Sequence, residues 1–351
     1  MEIGCLPFNK TGVFSSLMED YVSQAAGLRS FYGNSPDVAG LNAQRTLKKA
    51  VYTQAQRTVL QDVLREQYHD LKAIDVVEKQ IELLGDTKTT TVVTGHQLNL
   101  FSGPLYFLYK IISVINLAEV LSDQKTLGAV VPVYWMATED HDFDEINYFN
   151  FDGKKVIWNR KDGGAVGRFS TEGLADVFEA FSAHLGTSKN AQYVKKLFSE
   201  GYLNQTNLAD ATRFIANELF AAYGLVIVDG DDKGLKELFI PFVKEELENE
   251  TSFAAVSKTI TKLEENYKIQ VNPREINLFY LGDDFSARLI FEDNLYKVNN
   301  TDLTFTTAEI LKEVDKNPKA FSPNVIMRPL YQEVILPNLC YIGGGGEMAY
   351  W

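Results

Sequence analysis

Thiols are scarce: Cys5 and Cys340 are the only two cysteines in 351 residues. A single pair cannot form a disulfide framework and leaves too few thiolates for the usual structural zinc sites. Basic residues are also in deficit, with 34 Lys plus Arg against 47 Asp plus Glu and a formal net charge of −13. Gripping a phosphate backbone needs a basic face, so nucleic acid is not expected as a partner. The most apolar helix-length stretch, residues 104–121, is interrupted by Lys110, Ser113, Asn116 and Glu119. It reads as a buried helix rather than a membrane span, and no membrane partner is expected. The opening "MEIGCLPFNKTG" has no basic segment followed by an apolar one, so no signal peptide is expected and the cytoplasm is the default location. No G-x-x-x-x-G-K-[ST], G-x-G-x-x-G or G-x-S-x-G motif occurs, which weighs against the usual NTPase, dehydrogenase and α/β-hydrolase readings.

What is present fits a soluble globular chain with a sizeable core: 45% of residues are apolar and 23% charged, and the length suits about two domains or one large domain with insertions. Residues 1–85 are expected to be mainly helical and to pack on a core formed by residues 86–351. "TVVTG" (91–95), "VVPVYWMA" (130–137), "LVIVDGDD" (225–232) and "LCYIGGGG" (339–346) read as buried strands. Residues 130–137 are apolar on both faces, as in the centre of a parallel sheet, with Pro132 confined to the strand start. "NYFNFDGKKVIWN" reads as a hairpin turning at Asp152-Gly153. A long helix is expected over 233–265 and a small β insertion over 268–305. Alternation of strand and helix predicts an α/β fold with a doubly wound parallel sheet, with insertions at about 147–222 and 268–310. In such a sheet, ligands bind beyond the carboxyl ends of the strands.

Polar loops stand at those ends. In "TGHQLNLFSGP", Gly95 permits a sharp turn, His96, Gln97 and Asn99 offer donors, and the next helix start can face an anion; a plain connecting loop would look the same. "TEDHDFDE" crowds Glu139, Asp140, His141, Asp142, Asp144 and Glu145 into seven residues. Such a cluster fits a solvated helix N-terminus, a divalent metal site, or a substrate site with an acid for an ammonium and His141 as proton shuttle. Gly343, Gly344, Gly345 and Gly346 can form a backbone nest or a flexible turn. "SPNVIMRPLYQE" places Asn324, Arg328, Tyr331 and Glu333 around one helix, where Arg328 could fork onto a carboxylate or phosphate. Two further readings stand beside a synthetic enzyme: a metal-dependent hydrolase using Glu139–Asp142, and a non-catalytic sugar- or nucleotide-binding module.

"TGHQLNLFSGPLYFLYKIISVINLAE", "VPVYWMATEDHDFDEIN", "SPNVIMRPLYQEVILPN" and "YIGGGGEMAYW" together resemble the cysteine-adding enzymes of bacillithiol biosynthesis, in consistent order over most of the chain. The resemblance implies a Rossmann-like core related to nucleotidyltransferases and class I synthetases, with connecting-peptide insertions. It implies a ligase that adds L-cysteine to the amine of glucosaminyl-malate; because amide formation from a free carboxylate is uphill in water, activation by ATP or another nucleotide, with or without Mg2+, is expected, and no resident metal is. It also implies a dimerising coiled-coil arm. "LCYIGGGGEMAYW" reads as a strand, a loop and a first helical turn, so the chain is expected to be a fragment without that arm, and monomeric. The resemblance assigns His96, Asp140 and His141 to catalysis. Gln97, Asn99, Tyr106, Glu139, Asp142, Asn324, Arg328, Tyr331 and Glu333 would contact substrates, and Gly95, Gly103 and Gly343–Gly346 would hold an anion or nucleotide. "TGHQ" is not the H-I-G-H of the related superfamilies, and no K-M-S-K-S stretch occurs.

Overall fold

A computed structural model gives the fold and describes residues 4–71, 75–123, 128–161 and 163–350. The first three residues and Trp351, which closes the glycine stretch, lie outside that range. Eleven strands are found among the described residues: β1 (Thr90–His96), β2 (Val130–Met136), β3 (Tyr148–Phe151), β4 (Lys154–Ile157), β5 (Val226–Asp229), β6 (Leu278–Leu281), β7 (Ser286–Glu292), β8 (Leu295–Val298), β9 (Thr304–Phe305), β10 (Phe321–Pro323) and β11 (Asn338–Tyr341).

The central sheet has the order β11-β1-β2-β5 and every pair in it is parallel. Its strands are the β-branched and apolar runs expected of a sheet covered on both faces. Val92 and Val93 show the two faces, because successive side chains in a strand point opposite ways. Val92 packs with Val114, Ala118 and Leu121 of the helix Tyr106–Ser122. Val93 belongs to the larger core with Leu60, Leu64, Val77 and Ile81 from helices Gln54–Gln67 and Asp75–Leu83. The fold is thus α/β and Rossmann-like, with helices of residues 1–85 lying directly on the sheet. Tyr68 ties them to it, its hydroxyl accepting from the Ile227 N–H at 2.7 Å.

Pro132 is the third residue of β2 and is tolerated for a local reason. Thr90 N–H bonds Ala129 O, so the alternate residues Val131 and Val133 face β1. Pro132 faces the β5 side, where pairing starts only at Val133 with Val226. Its missing N–H therefore costs no ladder bond. The β3–β4 hairpin turns at Asp152 and Gly153, with φ of 48° and 72°, the paired positive values that a two-residue turn of this hand requires.

Two expectations are corrected. The helix over 233–265 is two helices, Lys233–Asn249 and Thr251–Leu263, broken at Glu250 with φ 49° and ψ 38°. The cause is buried Glu246. Its carboxylate accepts from Ser252 N at 2.9 Å, Ser252 Oγ at 2.6 Å and Asn277 N at 2.9 Å, so it serves the second helix start and the neighbouring strand at once. The β insertion is also longer than 268–305. Its five antiparallel strands, in the order β10-β6-β7-β8-β9, recruit β10 from "FSP", immediately before the Arg328 helix. No helix among the described residues is long and apolar enough to cross a membrane.

Candidate functional site

β1 is the first strand of the central sheet. The chain moves from it through β2 to β5 on one side and returns as β11 on the other. The direction of winding therefore reverses between β1 and β11, the place where sheets of this kind form a ligand crevice. A cavity of about 380 Å³ opens there, at the carboxyl ends of β11, β1 and β2. Gly95, His96, Gln97, Tyr106, Asp140 and Arg328 line it, six of the residues singled out from the sequence. Lys110, Trp135, Ala137, Val325, Gln332, Tyr341, Glu347 and Tyr350 complete it.

His96 ends β1. Its ring packs 5.3 Å from Phe107 and 6.2 Å from Tyr106. Burial, and next the Lys110 ammonium, push its pKa down to about 4, so the ring is neutral near pH 7. Its side chain is hydrogen-bonded to that of Asn99, while Nε2 is buried without a partner among the described residues. Asn99 therefore stands behind His96, its Nδ2 donating to Glu145 O at 3.3 Å.

Lys110 lies on the buried face of the helix Tyr106–Ser122 and is 4% exposed. Its Nζ donates to Gly95 O at 2.5 Å and to both Glu347 oxygens at 2.9 and 2.8 Å. Glu347 also accepts from Tyr341 Oη at 2.6 Å, Tyr106 Oη at 3.4 Å and Gly344 N at 2.8 Å. Burial lowers the Lys110 pKa while Glu347 pushes it back up. At Glu347 burial raises the pKa, but the Gly344 N–H, Lys110 and Tyr341 outweigh it and leave the carboxyl below its usual value. Burial and then Glu347 push the Tyr106 phenol up to about 12, which keeps it a protonated donor. Gly95 and Gly344 are required by close approach. An added Cβ would lie 2.8 Å from Tyr341 Oη at Gly95 and 1.9 Å from Tyr106 Oη at Gly344.

Asp140 forms the opposite wall, its side chain 17% exposed. Its Oδ1 accepts from His141 N at 2.7 Å and Asp142 N at 3.2 Å, and its Oδ2 from Gln97 Nε2 at 3.3 Å. Arg328 and Gln332 sit one turn apart on the helix Arg328–Ile335 and both reach the cavity, as i, i+4 neighbours do. Arg328 is partly buried and lies in no ion pair among the described residues. Gln332 is 2% exposed, and its Oε1 has no partner among the described residues.

The remaining expected site residues are placed elsewhere. His141 is half-exposed, its ring 5.0 Å from Phe279 of β6, with Nδ1 4.0 Å from Asp140 Oδ1. Glu139 forms an ion pair with buried Lys236, which also donates to Phe321 O at 2.8 Å. Asp142 caps the short helix Phe143–Ile146, accepting from Glu145 N at 3.3 Å. Asn324 holds the turn before Arg328, accepting from Ile326 N at 2.9 Å and donating to Asn277 Oδ1 at 3.0 Å. Tyr331 is fully buried and donates to Gly230 O at 2.6 Å. Glu333 pairs with Lys48 and accepts from Asn338 Nδ2 at 2.9 Å. Gly103 turns the chain ahead of the helix Tyr106–Ser122, at φ 58°. The acids after β5 are also engaged: Asp229 with Thr138 and Arg213, and Asp231 with Arg168 at 2.7 and 2.9 Å. No group of three or more metal-ligating side chains gathers among the described residues, so the hydrolase reading lacks its ligand set.

A family model described as bacillithiol biosynthesis BshC, N-terminal Rossmann-like domain, matches residues 1–351. The chain belongs to the BshC family. A protein of Flavobacterium johnsoniae named "Putative cysteine ligase BshC" is 55% identical over 351 residues, covering 100% of this chain and 66% of that protein. One of the same name from Flavobacterium psychrophilum is 53% identical over 352 residues, with the same coverage. A more distant one, from Bacillus cereus, is 32% identical over 299 residues, covering 80% of this chain and 54% of that protein. The chain thus spans 66% of the length of its Flavobacterium relatives.

Proposed function

We propose that this cavity is the substrate site of a ligase that joins the carboxyl of L-cysteine to the amine of glucosaminyl-malate, forming an amide in bacillithiol biosynthesis. One observation carries the reading. A single cavity at the switch point presents a carboxylate, Asp140, a guanidinium, Arg328, with no ion pair among the described residues, and two buried polar atoms, His96 Nε2 and Gln332 Oε1, with no partner among them. Buried polar atoms normally find a partner in protein, water or a ligand, and these two belong to residues that line the cavity. Both substrates carry an amine and a carboxylate, the two charges this cavity complements.

In this reading Asp140 receives the ammonium of cysteine or the glucosamine amine, and Arg328 takes a malyl carboxylate in its planar fork. Gln332 Oε1 accepts a ligand N–H or O–H. The amine attacks only as the free base, and its lone pair adds to the activated carboxyl carbon as the leaving group departs. The proton it sheds needs an acceptor. His96 lines the cavity and its Nε2 has no partner among the described residues, whereas His141 lies outside the cavity lining; a pKa near 4 makes His96 a weak base, so it takes that proton only transiently.

Amide formation from a free carboxylate is uphill in water, so activation by ATP or another nucleotide, with Mg2+, is part of the proposal. Of the expected anion contacts, the N–H groups of Gly95, Gly103 and Gly344 are already engaged, and His96 is uncharged. No residue or step is therefore assigned to the nucleotide or the ion. Homodimerisation is proposed only for the longer protein. The test is mass-spectrometric detection of cysteinyl-glucosaminyl-malate with full-length protein, with and without ATP, in wild type and Arg328→Met. ATP-dependent product in wild type, reduced in Arg328→Met, is expected. Glucosaminyl-malate binding without product under any condition would overturn the ligase reading in favour of a binding module.

A further inference from the structure

The Lys110–Glu347 pair differs from the other buried ion pairs of the fold. Lys236–Glu139, Lys48–Glu333, Arg213–Asp229 and Arg168–Asp231 lie outside the cavity lining. Lys110 and Glu347 both line the cavity. Their supports also differ. Lys110 belongs to a 17-residue helix packed on β1 and β2, and Tyr341 ends β11. Glu347 belongs to the segment Gly345–Tyr350, which follows glycines and packs half-buried against the helix Ser16–Val22. A set of donors on the sheet and its helix thus faces an acid carried by a segment outside the central sheet.

Three of those donors are fixed in the body: Lys110 Nζ, Tyr341 Oη and Tyr106 Oη. The Gly344 N–H moves with Glu347 and is not counted. We propose that these three groups form a carboxylate subsite of the cavity that Glu347 occupies in the free protein, and that a ligand carboxylate displaces it. The occupant is itself a carboxylate, both of its oxygens face Lys110, and the two phenols add a donor to each oxygen. Lys110 cannot simply be vacated. An ammonium left buried with Gly95 O and the faces of the Tyr106 and Tyr341 rings, and no counter-charge, is strongly disfavoured, so Glu347 leaves only as another anion arrives. The exchange links ligand binding to movement of the Gly343–Gly346 loop. With Arg328 as a second cation on the same cavity, the ligand class is a dicarboxylate, one carboxylate at each cation.

This inference rests on the cavity being the substrate site, but not on the reaction performed there. The test is calorimetric titration of the chain with L-malate and, separately, inorganic phosphate, using wild type, Glu347→Ala, Glu347→Gln, Arg328→Met and the double variant Glu347→Ala/Tyr341→Phe. An internal occupant present at least nine-tenths of the time raises the apparent Kd at least about tenfold, so Glu347→Ala is expected to bind L-malate at least about tenfold tighter than wild type. Glu347→Gln, which keeps the side-chain length but loses the charge, should gain less, and Tyr341→Phe should reverse part of the gain. If Glu347→Ala fails to fold, the gain in Glu347→Gln decides. Equal malate affinity in wild type and both Glu347 variants, with loss in Arg328→Met, overturns the subsite and leaves the cavity reading intact. A gain for phosphate but not malate overturns the carboxylate assignment. Malate binding to none of the proteins overturns the subsite and the cavity reading together.

Discussion

Adjacent acids Glu139 and Asp140 separate structure from function, and substituting each by its amide tests that division. Glu139→Gln leaves the Lys236 ammonium, 1% exposed at its side chain, without a counter-charge. Breaking one side of a buried pair costs about 3–5 kcal/mol of stability. Asp140→Asn is milder in the free protein. The amide oxygen introduced by that substitution keeps the bonds from His141 N and Asp142 N, and the amide nitrogen meets Gln97 Nε2 where Oδ2 of Asp140 accepted at 3.3 Å. One long hydrogen bond is lost, worth about 1 kcal/mol or less, and removal of a charge near Asp142 and Glu145 offsets part of that. Binding should invert the order. Loss of the carboxylate facing a ligand ammonium is expected to cost about 2–5 kcal/mol, at least about thirtyfold in Kd. Urea denaturation gives the stabilities, and calorimetry with L-cysteine and glucosaminyl-malate gives the affinities. Asp140→Asn should melt near wild type and bind poorly; Glu139→Gln should lose stability and, where folded, bind. Equal stability losses, or equal affinity losses, would mean that Asp140 is a structural acid and the site is misplaced.

Arg328→Lys keeps the charge but loses the planar fork, so calorimetry should show glucosaminyl-malate affinity falling about tenfold or more at an unchanged melting temperature. His96 has a folded-state pKa near 4 against an ordinary 6.5. The unfolded chain thus binds its proton first, and His96 contributes stability present above about pH 6.5 and lost as pH falls towards 4. His96→Gln should flatten that part of the wild-type stability curve in urea titrations, where wild type and variant otherwise share the same carboxylates. Gly344→Ala puts a Cβ 1.9 Å from Tyr106 Oη, whereas an alanine at Gly346 meets nothing within 4 Å. Thermal melts should show a loss of about 1–3 kcal/mol for the first, as for overpacking, and little for the second.

The sheet was legible because its strands are short apolar runs ending in glycine or acids, and burial on both faces demands that pattern. The cavity's position followed from topology, so the loops after β1 and β2 and the basic helix residue Arg328 could be read from the sequence. The contents of the acidic stretch could not. Residues leaving a strand point in different directions, and "TEDHDFDE" divides accordingly: Glu139 to Lys236, Asp140 to the cavity, Asp142 to a helix cap, Glu145 to Gln97 at 2.7 Å. Crowding that looked like one site is one ion pair and several separate sets of N–H donors. Lys110 and Glu347 were hidden by distance, since 237 positions separate them. The available signal was local: Lys110 falls on the face carrying Phe107, Ile111 and Val114, where a lysine is costly unless an anion waits for it.

The overall charge misleads in the same way. At −13 the chain repels anions as a whole, yet the cavity holds two cations, Lys110 and Arg328, against two acids, Asp140 and Glu347, with His96 neutral. Its charges sum to zero, and Lys110 and Glu347 neutralise each other, so a ligand first meets Asp140 and Arg328. Net charge acts at long range and is screened within about 10 Å at 0.1 M salt. Inside a partly buried cavity, the arrangement of single charges decides. A negative chain therefore disfavours a polyanion lying along its surface while remaining able to hold a small molecule with both an ammonium and a carboxylate, which is the chemistry that the amide-forming reading requires.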